Sequence, residues 1–204
     1  MDGHDRPDPA SAPARREYRL PVVRPLRPVR GRCAVTSEPV LVAYGSTRGG
    51  TAEMAEWIGE SLRSAGVDAE VRNAREVRSL DGYGAVVLGG ALYTGRWHRH
   101  ARRFARRFAR QMRMRPVWLF ASGPLDDSLT SGGPEKVPGV KAVERAARRV
   151  NARDYTIFGG RLQADAHGFP AAAMAKTMAG DFRDPQHVRE WASGLAAELV
   201  PGPR

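Results

Sequence analysis

The amino-acid sequence predicts an α/β fold: a doubly wound sheet of five parallel strands in the order 2-1-3-4-5, with helices on both faces. From Pro39 onwards, short apolar runs alternate with segments of helical periodicity, which indicates parallel strands joined by crossover helices. Several of the runs are apolar throughout, as expected for strands buried on both faces. Because parallel crossovers are right-handed, few topologies remain, and the order 2-1-3-4-5 is the one we expect.

The elements follow in chain order. The predicted strands cover residues 40–44, 67–73, 84–90, 116–122 and 155–159, and the predicted helices cover 51–65, 97–114, 140–151 and 184–199. In the first helix, Ala52, Ala55, Ile58 and Leu62 recur at steps of three or four, and Gly66 is a natural stop. About two dozen residues separate the last strand from the last helix, more than such a connection needs. Within them, residues 169–178 read as a short apolar helix that covers the ligand or the core.

The chain divides into a tail and one domain. Residues 1–36 are rich in proline and arginine and show no apolar period, so we expect a disordered tail followed by a domain over 37–204. The single cysteine, Cys33, excludes an intrachain disulfide and argues against a thiolate metal site. We therefore predict no metal. The longest apolar stretch, residues 85–93, is too short to span a bilayer, and a cytoplasmic protein is expected.

The sequence GSTRGGT, residues 45–51, directly follows the first predicted strand and opens the first helix. Backbone N–H groups and the helix dipole at such a position favour a phosphate. A Walker loop would need a lysine where Thr51 stands, and the glycine spacing does not fit the dinucleotide fingerprint. A small phosphate held by amides and hydroxyls remains.

The stretch VAYGSTRGGTAEMAEWI, residues 42–58, resembles the flavodoxin signature. The matching positions are Val42, Tyr44, Ser46, Gly49, Thr51, Ala55 and Ile58. Ala43 departs from the pattern, because a larger apolar residue is usual there. The resemblance implies FMN as the cofactor. The residues it places around the phosphate are Ser46, Thr47, Arg48, Gly49, Gly50 and Thr51.

Two further loops should then hold the flavin ring. One follows the third strand and contributes Ala91, Leu92, Tyr93, Thr94, Gly95 and Trp97; the other follows the fourth strand and contributes Ser122, Gly123 and Pro124. Tyr93 and Trp97 are the candidates for stacking on the ring, because aromatic faces pack on planar systems. All three loops follow strands at the same edge of the predicted sheet.

A narrower resemblance concerns the segment ALYTGRWHRHARRFARRF and the late segment that begins GGRLQADAHGF. Both are similar to menaquinone-dependent protoporphyrinogen IX dehydrogenases. This implies an FMN enzyme that takes hydrogen from a tetrapyrrole precursor and passes it to a quinone. His98 and His100 could then relay protons at the flavin edge, and His98 is the nearer of the two to the loop in sequence; a solvent-facing histidine is the alternative.

Charge bears on the choice between functions. The formal net charge is +11, and residues 96–115 hold nine arginines. Positive charge around a flavin should raise its reduction potential. This favours a two-electron, quinone-linked enzyme over a one-electron carrier that serves a reductase. The basic helix 97–114 also suggests peripheral contact with the inner face of a membrane. A flavin-free adaptor is the third hypothesis; no nucleic-acid motif accompanies the arginines, and no nucleic-acid partner is expected.

Overall fold

The computed structural model describes residues 38–123, 136–167 and 171–200. The predicted tail, and Pro124 of the predicted site, lie outside these residues. The strands are β1 (Val40–Gly45), β2 (Ala69–Asn73), β3 (Ala85–Tyr93), β4 (Arg96–Trp97), β5 (Val117–Ser122), β6 (Asp154–Phe158), β7 (Arg161–Leu162) and β8 (Gly180–Asp181). The helices are α1 (Gly50–Ser64), α2 (Arg99–Arg107), α3 (Ala109–Met112), α4 (Val140–Val150), α5 (Ala171–Met178) and α6 (Pro185–Leu199).

The five long strands pair in the order β2-β1-β3-β5-β6, and every pairing among them is parallel. Counted along the chain, this is the predicted order 2-1-3-4-5. Two short antiparallel pairings accompany this sheet: β4 pairs with the end of β3, and β7 pairs with β8. The carboxyl ends of β1, β3 and β5 therefore lie side by side at one edge.

Helices cover both faces of the sheet, as predicted. In β5 alternate side chains point to opposite layers: Trp118 packs with residues of α1 and α6, whereas Leu119 packs with residues of α2 and α4. All six residues of β5 are buried, because a central parallel strand is enclosed on both sides. The apolar residues Ala101, Phe104, Ala105, Phe108 and Met112 recur at helical spacing and pack in the same core cluster as Leu119.

The basic helix predicted over residues 97–114 is wrong in its bounds. It is divided into α2 and α3, which meet at Phe108, and Trp97 belongs to the strand β4. Thr94 and Gly95 have positive φ angles of 47° and 70°, so they form the tight turn that folds β4 back onto β3. That turn delays the start of the helix to Arg99.

The segment between β6 and α6 contains β7, α5 and β8. The helix expected over residues 169–178 is present as α5 from Ala171 to Met178; residues 169 and 170 lie outside the described residues. Among the described residues, no helix has both the length and the apolar character needed to cross a membrane.

Candidate functional site

A crevice opens at the carboxyl ends of β1, β3 and β5, where the chain changes direction across the sheet. It encloses about 650 Å³, part of it open to solvent, a size usual for small-molecule sites. Its walls are Ser46, Thr47, Arg48, Gly50, Thr51, Ala91, Leu92, Tyr93, His98, Ser122, Gly123, Gly160, Arg161 and Leu162. The structure therefore brings together all three predicted loops.

The loop before α1 leaves an uncapped helix end facing the crevice. Gly49 occupies the N-cap with φ 82° and offers no side-chain hydrogen bond to the helix. The amides of the first helical turn have no partner within the helix, and the dipole adds partial positive charge. The Ser46 hydroxyl accepts a hydrogen bond from the Gly49 amide at 3.0 Å, which holds the loop in this shape. The arrangement is suited to an anion.

Thr51 and Gly50 lie inside this cradle. Thr51 is 2% exposed, so its hydroxyl is available only to the interior of the site. A Cβ atom on Gly50 would lie 3.7 Å from the Cβ of Arg161, which shows how closely the start of β7 approaches the loop.

His98 forms part of the crevice wall. Its Nε2 lies 3.0 Å from Thr47 Oγ1, and its Nδ1 accepts a hydrogen bond from the His100 amide at 3.3 Å, capping α2. Burial lowers the pKa of His98 to about 4, with further contributions from His100, Arg99 and Arg102. The imidazole is therefore neutral at pH 7. Its role in proton transfer stays a prediction, since both ring nitrogens already have partners.

Tyr93 also lines the crevice. The Arg48 guanidinium lies 5.7 Å from the centre of its ring, and the ring packs against Leu162 and Ala175. Its phenol oxygen is buried and has no hydrogen-bond partner among the described residues. An unpaired buried hydroxyl is costly, so this atom marks a position where a ligand group would be stabilised.

Four of the described residues predicted for the site are not part of the crevice wall: Gly49, Thr94, Gly95 and Trp97. Gly49 is the N-cap of α1. Trp97 is completely buried, and its indole N–H donates to the Gly90 carbonyl at 3.0 Å. The Trp97 ring therefore belongs to the core, and the expectation that it stacks on a flavin is wrong. The turn between β3 and β4 places this side chain in the protein interior. Thr94 and Gly95 form the exposed turn itself and do not line the crevice.

Gly160, Arg161 and Leu162 also line the crevice. They lie in the segment that begins GGRLQADAHGF, but none of them was predicted as a site residue. They come from the start of the segment between β6 and α6. The doublet Gly159-Gly160 directly after a strand was the available signal, because glycines there allow close backbone approach. A Cβ on Gly159 would collide with the backbone of Phe182, so the segment folds back tightly at this point.

Ion pairs hold that segment over the first turn of α1. Glu53 lies 2.9 Å from Arg161 and 2.7 Å from Arg183, and Arg183 also bonds Asp181 at 2.6 Å. The Arg183 side chain is only 4% exposed and lies 5.0 Å from the Trp57 ring centre. At the other end, Arg48 donates to the His167 carbonyl at 2.9 Å. The segment is thus fixed to the cradle at two places.

These features fit the FMN that the flavodoxin resemblance implies. The uncapped start of α1 and the buried hydroxyl of Thr51 suit its phosphate. Tyr93 offers an aromatic face and an unpaired phenol oxygen to the rest of the molecule. Among the described lining residues, Arg48 and Arg161 are cationic and none is acidic, which suits an anionic ligand.

Comparison with known proteins bears on the family and the fold. The family model of the flavodoxin domain matches residues 41–185, whereas the comparison with curated proteins finds no similar sequence. A flavodoxin from the domain Archaea is 16% identical with a TM-score of 0.52, over 79% of this chain and 98% of its own. A cysteine-to-serine mutant of the flavodoxin from Pseudomonas aeruginosa is 17% identical, with the same TM-score and coverage. Two-electron reduced Megasphaera elsdenii flavodoxin is 18% identical with a TM-score of 0.52, over 78% of this chain and 98% of its own. At these identities the likeness to solved structures shows the fold.

Proposed function

This chain belongs to the flavodoxin domain family, and we propose that within it the protein is an FMN-dependent oxidoreductase that transfers two electrons and passes them to a quinone. Family membership implies FMN as the cofactor. The proposal for the reaction is carried by one observation: the segment between β6 and α6 adds its own wall to the crevice, through Gly160, Arg161 and Leu162. A carrier that only meets partner proteins has no need of such a wall, whereas an enzyme uses one to form a substrate pocket.

The charges around the crevice support a redox enzyme of raised potential. Arg48 and Arg161 lie in the wall, and none of the described lining residues is acidic. Arg161 is paired with Glu53, so among the described residues Arg48 is the lining arginine that has no salt bridge. Positive charge favours an anionic reduced cofactor over its neutral oxidised form. When bound, FMN supplies the capacity to accept and release electrons. The protein binds its phosphate at the cradle, surrounds it with positive charge and excludes water where Leu162 packs on Tyr93.

Protoporphyrinogen IX as the donor, and a menaquinone as the acceptor, form the finer part of the proposal. They derive from the resemblance of residues 91–108 and of the segment beginning GGRLQADAHGF. The test is anaerobic turnover of the FMN-loaded protein with protoporphyrinogen and a menaquinone analogue. We expect oxidation of the donor only when the quinone is present. Retained FMN without turnover would reject this reaction and leave the cofactor assignment intact.

A one-electron carrier is the second candidate, and the opening of the crevice to solvent favours it. The two candidates differ in the redox titration of the holoprotein. A two-electron couple gives a slope of about 30 mV per decade, and a one-electron couple about 59 mV. A slope near 59 mV in two separate waves, with electron delivery to an added reductase partner, would favour the carrier.

Peripheral contact of a cytoplasmic protein with an anionic membrane remains a proposal as well. The exposed arginines of α2 and α3 support it, since Arg103, Arg106 and Arg110 reach solvent. Flotation of the FMN-loaded protein with vesicles that contain or lack phosphatidylglycerol tests it. Equal flotation with both kinds of vesicle would remove the electrostatic basis of the proposal.

A further inference from the structure

A second pocket lies between α2 and residues 74–78, on the face of the sheet that α2 covers. We propose that it is a binding site for a phosphorylated ligand that carries two or more negative charges, such as a diphosphate ester. Its walls are Ala74, Arg75, Arg78, His100, Arg103, Phe104, Arg107 and Phe108, and it encloses about 690 Å³, part of it open to solvent. It shares no lining residue with the FMN crevice.

Four arginines converge on this pocket, and no acidic residue is among its described lining residues. Within the described parts of the chain, no salt bridge joins Arg75, Arg78, Arg103 or Arg107 to a carboxylate. These four side chains are exposed, so water and salt screen their mutual repulsion, but together they give the pocket a positive potential that attracts anions. The cluster therefore has unused capacity for an anion.

The sequence itself aligns the groups on α2. His100, Arg103 and Arg107 follow at steps of three and four, which places them on one face of the helix. That face lies over the segment that carries Arg75 and Arg78. Two of the four arginines thus come from α2 and two from residues 74–78, and all four line the same pocket.

One guanidinium is held in place before any ligand binds. Arg107 donates to the Arg78 carbonyl at 3.0 Å and lies 4.9 Å from the centre of the Phe108 ring. Phe104 and Phe108, which are 2% and 6% exposed, form an apolar floor. A guanidinium fixed in this way loses less side-chain entropy when it binds an anion.

His100 gives a second, independent sign of an incomplete site. Its Nδ1 is buried and has no hydrogen-bond partner among the described residues. Burial lowers the pKa of His100, and Arg99, Arg75 and Arg103 lower it further. The His100 ring therefore experiences the positive potential of the arginines. The centre of the His98 ring is 4.9 Å from that of His100, but His98 is neutral at pH 7 and adds no charge. A bound anion would offset that potential.

The ligand class follows from charge and geometry. Guanidinium groups form paired hydrogen bonds with phosphate oxygens, and one singly charged phosphodiester would leave most of the +4 charge unmatched. Di- and triphosphate groups carry more charge in a pocket-sized volume. Such groups occur on free phosphate esters, and clustered lipid headgroups present the same chemistry at a surface.

The test uses the FMN-loaded protein, so that the phosphate cradle is already filled. Inorganic pyrophosphate, inorganic phosphate and phosphatidylglycerol vesicles are titrated separately by calorimetry or flotation. The variant Arg75→Gln/Arg103→Gln removes two pocket charges. The matched control is Arg145→Gln/Arg148→Gln, which removes two exposed charges of α4 that do not line the pocket. FMN retention verifies the fold of both.

We expect pyrophosphate to saturate at one equivalent, to bind more tightly than phosphate, and to weaken at least tenfold in the pocket variant but less than twofold in the control. Saturation with pyrophosphate identifies the free-ester source, whereas pocket-dependent binding to vesicles alone identifies the lipid source. Binding should also raise the pKa of His100, measured by NMR. Equal weakening in both variants, or no saturable binding of either pyrophosphate or vesicles, would overturn the proposal.

Discussion

Thr47 and His98 are joined across the wall of the FMN crevice, with Thr47 Oγ1 3.0 Å from His98 Nε2 although 51 residues separate them. The other ring nitrogen, Nδ1, accepts a hydrogen bond from the His100 amide. A neutral imidazole has one donor and one acceptor, so Nε2 carries the hydrogen and donates to Thr47. The threonine hydroxyl is then left to donate its own proton into the cradle. His98 thereby positions the phosphate loop.

Substitution of His98 separates this positioning role from a proton relay. His98→Ala should weaken FMN binding by about tenfold, because the hydrogen bond to Thr47 and the cap of α2 are each worth about 1 kcal/mol. His98→Asn should restore the cap and part of the affinity. Fluorescence titration with FMN at pH 7.5 measures both. Unchanged affinity together with slower turnover would instead support the relay.

The low pKa of His98 also predicts a pH dependence of stability. The folded pKa of about 4 lies below the ordinary histidine value of 6.5, so between these values the unfolded chain binds the proton and the folded protein does not. Stability should therefore fall as the pH drops from 6.5 towards 4. His100 and His187 have lowered pKa values too and contribute in the same direction.

Denaturant unfolding at pH 7.5, 6.0 and 5.0 measures this effect. In His98→Asn the loss of stability over that range should be smaller than in the wild-type protein, with the other two histidines accounting for the remainder. An identical pH profile in the two proteins would show that His98 is not the group that resists protonation.

Gly45 is the residue of β1 on which the His98 ring packs. A Cβ added there would collide with His98 Nδ1 and lie 3.1 Å from the Ala101 amide nitrogen. Gly45→Ala should therefore destabilise the fold by about 1–3 kcal/mol and displace the imidazole from Thr47. Gly194→Ala is the matched control, because nothing lies within 4 Å of its Cβ and its helical position should gain about 0.5–1 kcal/mol. Thermal unfolding and FMN titration of both variants provide the comparison.

The sheet and the phosphate loop could be predicted because their signals are local. Apolar runs such as Val117–Ser122 define buried strands, and the glycines before α1 define the loop without reference to the rest of the chain. The wall formed by Gly160–Leu162 depends instead on pairs such as Glu53 with Arg183, which are 130 residues apart. No periodicity or short motif records such a contact.

Trp97 and the helix that follows it show the same limit at short range. An aromatic residue after a strand suits either a ligand face or the core, and only the turn at Thr94-Gly95 decides which. A run of arginines with a regular apolar stripe predicts a helix, but it does not show that the helix is interrupted at Phe108. Nor does it show that His98 acts as a cap.

Arg183 should be a principal anchor of the wall around the crevice. Its side chain is 4% exposed and pairs with both Glu53 and Asp181; Arg183 is also the leading cause of the lowered pKa of Asp181. Arg183→Gln leaves Asp181 without its salt-bridge partner and leaves Glu53 with Arg161 alone, and it should cost about 1–3 kcal/mol. Arg145→Gln, on the exposed side of α4, is the control. Urea unfolding at pH 7 should separate the two variants, and the difference should shrink as acid protonates Asp181 below its depressed pKa.

Thr51 provides the sharpest test of the phosphate cradle. The residue is 2% exposed at the start of α1, so Thr51→Glu would place a carboxylate where the phosphate is expected and repel it. We expect FMN binding to be lost in Thr51→Glu and retained within about tenfold in Thr51→Ser, which keeps the hydroxyl. Circular dichroism and urea unfolding must accompany the titration, because a buried acid can also unfold the chain. A folded Thr51→Glu protein that binds FMN with unchanged affinity would mean that the phosphate lies elsewhere.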